Sequence, residues 1–407
     1  MNISHLELGP MRRALMRNKV GALLIALQIA VTMTIVINSL SIVIERDAMM
    51  QRESGLDENN TFYLTSTGYA TDYNGQVTAT EDLITLREMP GIVNAIQINA
   101  IPISGGGWSM SLATEPGEDI DGVSTAVYMV DQHGINTLDL EIIAGRNFQQ
   151  NEIRWRQNGM TNWPEMTILT EAMAIALYES AENAIGKTVY IGDDEPMTVI
   201  GVVDQLQAPW VGWDDLENAM LSPENLGWES SRYLIRTQPG LRDELMPQVE
   251  EMLAQRVEGR IIRSMDTITA TRDRSYRQHS AMIKILLTVI VCLTLITALG
   301  IVGLASFSVQ KRTRQIGTKR ALGASKATVM RYFMLENGMI STVGIAIGVA
   351  LTIGLNMLLV DWFNLTPLAW YYIPIGIICL YIVGQLAVLG PARRAASIAP
   401  ATATRTL

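Results

Sequence analysis

Four stretches of the chain carry no charged residue at all: residues 20–44, 285–309, 337–360 and 368–389, of 25, 25, 24 and 22 residues. Each is long enough, as a helix, to cross roughly 30 Å of hydrocarbon. The first is far longer than the apolar core of a secretory signal and no small-residue cleavage site follows it, so it reads as a retained helix. Only 17% of the 407 residues are charged while 48% are hydrophobic. A wholly soluble globule is disfavoured.

The formal charge of -9 hides two opposite populations. The N-terminus (Arg12, Arg13, Arg17 and Lys19 against Glu7), the loop 310–336 and the tail (Arg393, Arg394, Arg405) hold 14 basic and 2 acidic residues, or +12. Residues 45–284 hold 17 basic and 37 acidic residues, or -20, and Asp361 supplies the remaining -1. The positive-inside rule places both termini and the 310–336 loop in the cytoplasm and the acidic block outside. Such acidity argues against a nucleic-acid partner.

Cys292 and Cys379 both fall inside expected spans. They read as small apolar residues, expected to be buried, and no disulfide is expected in the external block, which is large enough to bury a core without one. There, strand-like runs alternate with helical patterns, pointing to α/β or α+β construction. Residues 61–65, 81–88 and 92–101 read as strand, helix and strand, and residues 232–236, 241–257 and 260–264 repeat the order. Two such units flanking a mixed segment suggest one subdomain whose halves meet in space, with a second subdomain inserted. The flanks, 45–56 and 270–284, are expected to continue the first two spans outward as a helical stalk.

Most catalytic motifs fail. AENAIGKT at 181–188 resembles a loosened phosphate loop, but such a loop needs a strand before and a helix after, and here the order is reversed. His5, His133 and His279 have no companion at metal-ligand spacing. Acidic runs such as Asp193, Asp194, Glu195 and Asp214, Asp215 read as solvated turns. The spans hold no Asp, Glu, Lys, Arg or His, which disfavours ion-coupled transport. Gln28, Thr32, Asn38, Ser39, Asn356 and Gln385 are expected to bond between helices. Trp210, Trp213 and Trp228, among acidic residues in 208–228, read as an exposed loop and a candidate partner surface. Trp362, Trp370, Tyr371 and Tyr372 read as interface belt residues.

The loop from Lys311 to Glu336 reads KRTRQIGTKRALGASKATVMRYFMLE. The helix leaving the second span is expected to run through Arg320, turn at Leu322, Gly323 and Ala324, and restart with Ser325 as N-cap. Val329, Met330, Phe333 and Met334 then form an apolar stripe opposite Lys326 and Arg331. Such a short amphipathic helix either lies on lipid or docks into a groove on a cytosolic partner.

The run RTRQIGTKRALGAS, the later FMLENG and the tail PARRAASIAPATATR resemble the permease domain of the MacB/FtsX-type ABC transporter family. LDLEIIAGRNF at 138–148, and ENAIGKTV with MTVIGVV within 182–203, resemble that family's periplasmic domain. The resemblance implies an α+β membrane protein: four transmembrane helices and a large extracytoplasmic α/β domain on a helical stalk. It divides the chain into a cytoplasmic N-terminus (1–19), TM1 (20–44) and a periplasmic domain with stalk (45–284), porter-like at 57–101 and 229–269 and sabre-like at 102–228. TM2 (285–309), a cytoplasmic loop with coupling helix (310–336), TM3 (337–360), an outer loop (361–367), TM4 (368–389) and a cytoplasmic tail (390–407) follow.

On this resemblance the chain is a multi-pass protein of the bacterial inner membrane and a non-catalytic permease subunit that binds no cofactor itself. No phosphate loop or LSGGQ signature occurs on the cytoplasmic side, so ATP and Mg are expected on a separate ABC ATPase subunit. The residues expected to couple to it are Arg314, Gly317, Arg320, Leu322, Gly323, Ala324, Val329, Met330, Phe333, Met334 and Glu336. Further partners implied are a second permease copy or paralogue, the bilayer, and a periplasmic adaptor with an outer-membrane channel. Efflux of peptides, toxins or siderophores is the leading expectation; lipoprotein extraction, or regulation of a periplasmic hydrolase, are the alternatives.

Overall fold

The computed structural model describes residues 19–117, 120–192, 194–363 and 367–399. His5, Glu7, Arg12, Arg13, Arg17, Asp193 and Arg405, used in the readings above, lie outside them, as do the N-terminal segment before Lys19 and the tail beyond Ala399. The chain divides into two compact units, Met1–Met50 with His279–Leu407, and Gln51–Gln278. Helix α1 (Lys19–Met50) opens the first unit and runs past the charge-free stretch into Glu45 and Arg46 without a break.

The second unit begins with β1 (Thr61–Gly68), α2 (Gly75–Glu88) and β2 (Ile92–Gln97). It then runs through β3 (Trp108–Ala113), β4 (Val123–Val130), α3 (Gly134–Leu138), β5 (Ile142–Gly145) and β6 (Arg154–Arg156). Next come β7 (Met166–Thr170), α4 (Glu171–Tyr178), α5 (Ala181–Ala184), β8 (Thr188–Ile191), β9 (Glu195–Val203) and β10 (Ala219–Leu226). It closes with β11 (Ser230–Thr237), α6 (Arg242–Arg256), β12 (Arg260–Thr267) and α7 (Ile268–Ser275).

The first and last strands share one sheet in the order β12-β1-β11-β2, every neighbour antiparallel. Strands β1 and β2, linked through α2, are therefore parallel with β11 between them, a split β-α-β arrangement. The period of two sends Phe62, Leu64, Tyr233 and Ile235 to one face, where they pack with Leu83 and Leu86 of α2 and Val249 and Leu253 of α6. A buried ion pair ties the halves: Arg260 of β12 lies 2.6 Å from Asp82 of α2, and the Tyr233 hydroxyl donates to the same carboxylate at 2.8 Å. Burial, with that carboxylate beside it, pushes the Tyr233 phenol well up.

The inserted segment makes a second sheet, β4-β3-β8-β9-β7-β10, that returns on itself because β10 also pairs with β4, in parallel. Val127, Met129, Leu169, Val199, Val202 and Met220 fill one core, while their neighbours Tyr128, Ile168, Val203 and Leu221 point the other way. That outward set packs with Tyr63, Ile96 and Leu234 of the first sheet. The two sheets thus share a core.

Three expectations are corrected here. Residues 208–228 are not an exposed loop: Ala219–Leu226 is a strand buried along its whole length. Pro223 and Glu224 disguised it. The antiparallel partner β7 covers Met220 and Leu221, β6 covers 224–226, and β4 pairs in parallel with 219–223, so that Pro223 sits opposite Val130 at the last position of that pairing. Glu224 is fully buried but paired with Arg154 at 2.8 Å and Arg156 at 3.0 Å. Second, the segment 270–284 is not one helix continuing the second span, since Tyr276 leaves helical geometry at φ -90°, ψ 4° and ends α7. Third, Cys292 and Cys379 are exposed rather than buried.

The helical unit resumes with α8 (Arg277–Lys311), α9 (Thr313–Ala321), α10 (Lys326–Phe363) and α11 (Tyr372–Ala396). Apart from α9, these and α1 are long and apolar enough to cross a membrane. Close approach between α1 and α10 rests on small residues: a Cβ at Gly344 would lie 2.7 Å from the Ala26 carbonyl oxygen, and one at Gly348 3.0 Å from the Met33 Cβ. Polar contacts add register. Gln28 donates to the Ile296 carbonyl at 3.0 Å, and the Thr32 and Thr297 hydroxyls are 2.7 Å apart. Trp362 and Trp370 are well exposed, whereas Tyr372 is buried in the helical core.

Candidate coupling site between the second and third spans

Arg312 interrupts the helical path at φ -106°, ψ 11°, so α9 is a separate helix rather than a continuation of α8. Ile316 and Gly317 face inward, while Arg314, Gln315, Thr318 and Lys319 are exposed. Lys319 and Arg320 occupy its last turn, where cations suit the negative end of the helix dipole. The helix ends in a Schellman motif: the Ala324 N-H donates to the Lys319 carbonyl at 3.0 Å and the Gly323 N-H to that of Arg320 at 3.2 Å. Gly323 has φ +100°, the left-handed conformation this motif demands. Ser325 then caps α10, its hydroxyl accepting from the Thr328 N-H at 3.1 Å.

The stripe expected on a short docking helix belongs to the first turns of α10, which continues unbroken to Phe363. Val329 and Phe333 are buried against Val309, Ile316, Ala392, Ala395 and Ala396, with Met330 partly buried beside them. Met334 packs with the core between the spans. Val329 and Phe333, so covered, are not available to a partner. The reason is the paired helices: α9 folds back against α10, and the C-terminal alanines of α11 complete the pocket for Phe333.

Glu336 joins this internal framework, since Arg312 pairs with it at 3.0 Å and also donates to the Tyr332 hydroxyl at 3.4 Å. The Lys319 ammonium sits 5.2 Å from the Tyr332 ring centre. Arg312, Ile316 and Tyr332 were missed by sequence reading. Arg312 stood out only as one cation in a basic run, and its partner is 24 residues away.

What remains outward is the turn. Leu322 is 83% exposed, flanked by exposed Gly323, Lys326 and Lys319, with Ala324 half-buried behind it. An apolar tip ringed by cations and held by two capping motifs is suited to insertion into a groove of a partner.

The aromatic residues offered as a second surface do not come together. Trp210 and Trp213 meet edge to face at 5.3 Å and pack on the shared core, whereas Trp228 pairs with Trp108 at 5.9 Å beside the other core. The helix-then-strand order at 181–188 is present as α5 and β8, with Gly186 at φ +75° between them. Among the described residues no group of three metal-ligating side chains exists.

Residues 22–255 match the MacB-like periplasmic core domain, and residues 287–400 match the FtsX-like permease C-terminal domain. The macrolide export ATP-binding/permease protein MacB of Chromobacterium violaceum is 26% identical over 296 residues, 68% of this chain and 43% of the relative. That of Brucella melitensis is 27% identical over 275 residues, 65% of this chain and 41% of the relative. The chain thus spans less than half the length of these relatives. Among solved structures, the periplasmic region of MacB from Actinobacillus actinomycetemcomitans aligns with 56% of this chain and 97% of its own, at 15% identity and a TM-score of 0.32. With the first domain match alone covering more than half of the residues, the chain belongs to the MacB-like family of ABC transporter permeases.

Proposed function

We propose that the chain is the permease subunit of a mechanotransmission ABC transporter whose ATP and Mg are bound by a separate cytosolic ATPase chain. The Leu322 turn docks in a groove of that ATPase, and closure of the ATPase dimer displaces α9. The Arg312–Glu336 pair and the packing of Phe333 on Ile316 carry the displacement into α8 and α10, and the acidic unit outside the membrane changes shape in response. Two permease copies, or one copy and a paralogue, form the dimer. Both termini and the 310–336 loop lie in the cytoplasm, in keeping with the +12 and -20 partition of charge.

The substrate class is one exported from the periplasmic side, such as peptides, toxins or siderophores, handed on through a periplasmic adaptor and an outer-membrane channel. Relatives named for macrolide export support export over the alternatives. The observation that carries the coupling role is the exposed, doubly capped Leu322 tip. The test is co-purification of Leu322→Asp with the ATPase chain that is recovered with the unsubstituted permease. About a tenfold loss of bound ATPase is expected for an apolar anchor replaced by a charge, and undiminished recovery would reject the docking site.

A further inference from the structure

A groove of about 400 Å³ runs between α10 and α11, lined by Met330, Arg331, Met334 and Gly338 on one side and Tyr381 and Gln385 on the other. Its apolar wall is what a helix surface in hydrocarbon presents, but its polar side chains are not. Arg331 is exposed and no carboxylate lines the groove. Among the described residues, neither the Tyr381 hydroxyl nor the Gln385 amide makes a hydrogen bond, and Arg331 has no ion pair. Polar heads left unpartnered within a span cost free energy and call for a ligand that satisfies them.

Tyr381 and Gln385 lie one turn apart on one face of α11. A Cβ at Gly338 would come within 2.9 Å of the Tyr381 Oη and 3.4 Å of the Gln385 Nε2, so glycine keeps the groove open beside both heads. Because Val329 and Phe333 pack on Ala392, Ala395 and Ala396, Arg331 stands at the level of the exposed Arg393 and Arg394. Gly338 is about 10 Å further along α10, at 1.5 Å per residue. The groove therefore grades from a cationic rim at Arg331, past Met334, to the hydroxyl and amide at the level of Gly338, and then to Met339 and Thr342 beyond them. That is the order of phosphate, ester and acyl chain along a glycerophospholipid.

We propose that this groove binds one anionic glycerophospholipid. Arg331 holds the headgroup phosphate, the Tyr381 hydroxyl and Gln385 amide donate to the ester carbonyls beside Gly338, and an acyl chain continues along Met339 and Thr342. The site depends on the helices spanning a bilayer and not on coupling to an ATPase, so the two can fail separately.

The test uses the full chain in nanodiscs of equal phosphatidylglycerol and phosphatidylcholine, with retained lipid weighed by native mass spectrometry. The unsubstituted chain is expected to keep one phosphatidylglycerol in preference to phosphatidylcholine. Arg331→Ala should lower that retention about fivefold, the factor for losing one cation at an anionic surface. Tyr381→Phe combined with Gln385→Leu should lower it too, Gly338→Leu should abolish it, and Lys326→Ala should leave it unchanged. Arg331→Ala removes only an exposed side chain, so its reading stands even if Gly338→Leu fails to fold. Equal retention of the two lipids, or wild-type retention in both Arg331→Ala and the Tyr381/Gln385 double variant, overturns the proposal. So does loss of a dimer, in place of lipid, on Arg331→Ala.

Discussion

At position 323 a Cβ would meet no atom within 4 Å, so backbone conformation alone selects glycine there, at φ +100°. Gly323→Ala is expected to cost about 1 kcal/mol through the left-handed conformation, read as a lowered unfolding midpoint in detergent with the chain still inserted. Arg312 and Glu336 act as a pair, both largely covered. A double-mutant cycle with Arg312→Gln and Glu336→Gln should return a coupling of about 1.5–3 kcal/mol, the range for hydrogen bonds to charged groups; a coupling near zero would remove the link from α9 to α10. In the other unit, burial and the nearby Arg87 guanidinium lower the His133 pKa, opposed by Asp131. Its folded value lies below its unfolded one, so the unfolded chain takes up the proton first. His133 therefore supports stability above about pH 6.5, and that support is lost as the pH falls through the window beneath it. His133→Asn should flatten the acid limb of the unfolding curve, and an unchanged limb would contradict this.

At the scale of elements, α10 is the instructive case. Its 38 residues take in both the segment expected as a separate coupling helix and the third span, because nothing between Met334 and Gly338 breaks a helix. Phe333→Asp is accordingly a core substitution. It should destabilise the chain by about 3–5 kcal/mol and cut the yield of folded protein, whereas Leu322→Asp should leave thermal unfolding unchanged. If both variants melted like the parent and lost only ATPase binding, the stripe would have to face a partner after all. The α1–α10 contact makes a second element-level case. Gly344→Leu would drive a side chain into the Ala26 backbone and is expected to cost about 1–3 kcal/mol by overpacking, visible as earlier unfolding in a detergent titration.

For the whole molecule, the charge partition predicts an orientation. A cysteine introduced at Lys326 should resist an impermeant thiol reagent in intact cells and one at Gln150 should react, after Cys292 and Cys379 have been replaced because both are exposed. Reaction at 326 from outside would invert the topology. The external unit should unfold as one body, since Tyr63, Ile96 and Leu234 of the first sheet share a core with Tyr128, Ile168 and Leu221 of the second.

The spans, the charge partition, the strands of the first sheet and the turn at Gly323 were all legible in the sequence, because each depends on local composition, a period of two or a backbone requirement within a few residues. Tertiary structure alone decided which apolar stripe stays outside. Val329 and Phe333 look like a docking face until α9 and the alanines of α11 cover them. It also decided that Pro223 and Glu224 belong to a buried strand, since the partners β4, β7 and β6 come from distant segments and Arg154 and Arg156 neutralise the carboxylate. Local sequence carries the cost of a buried charge or a covered face, but the group that offsets it comes from residues brought near by folding.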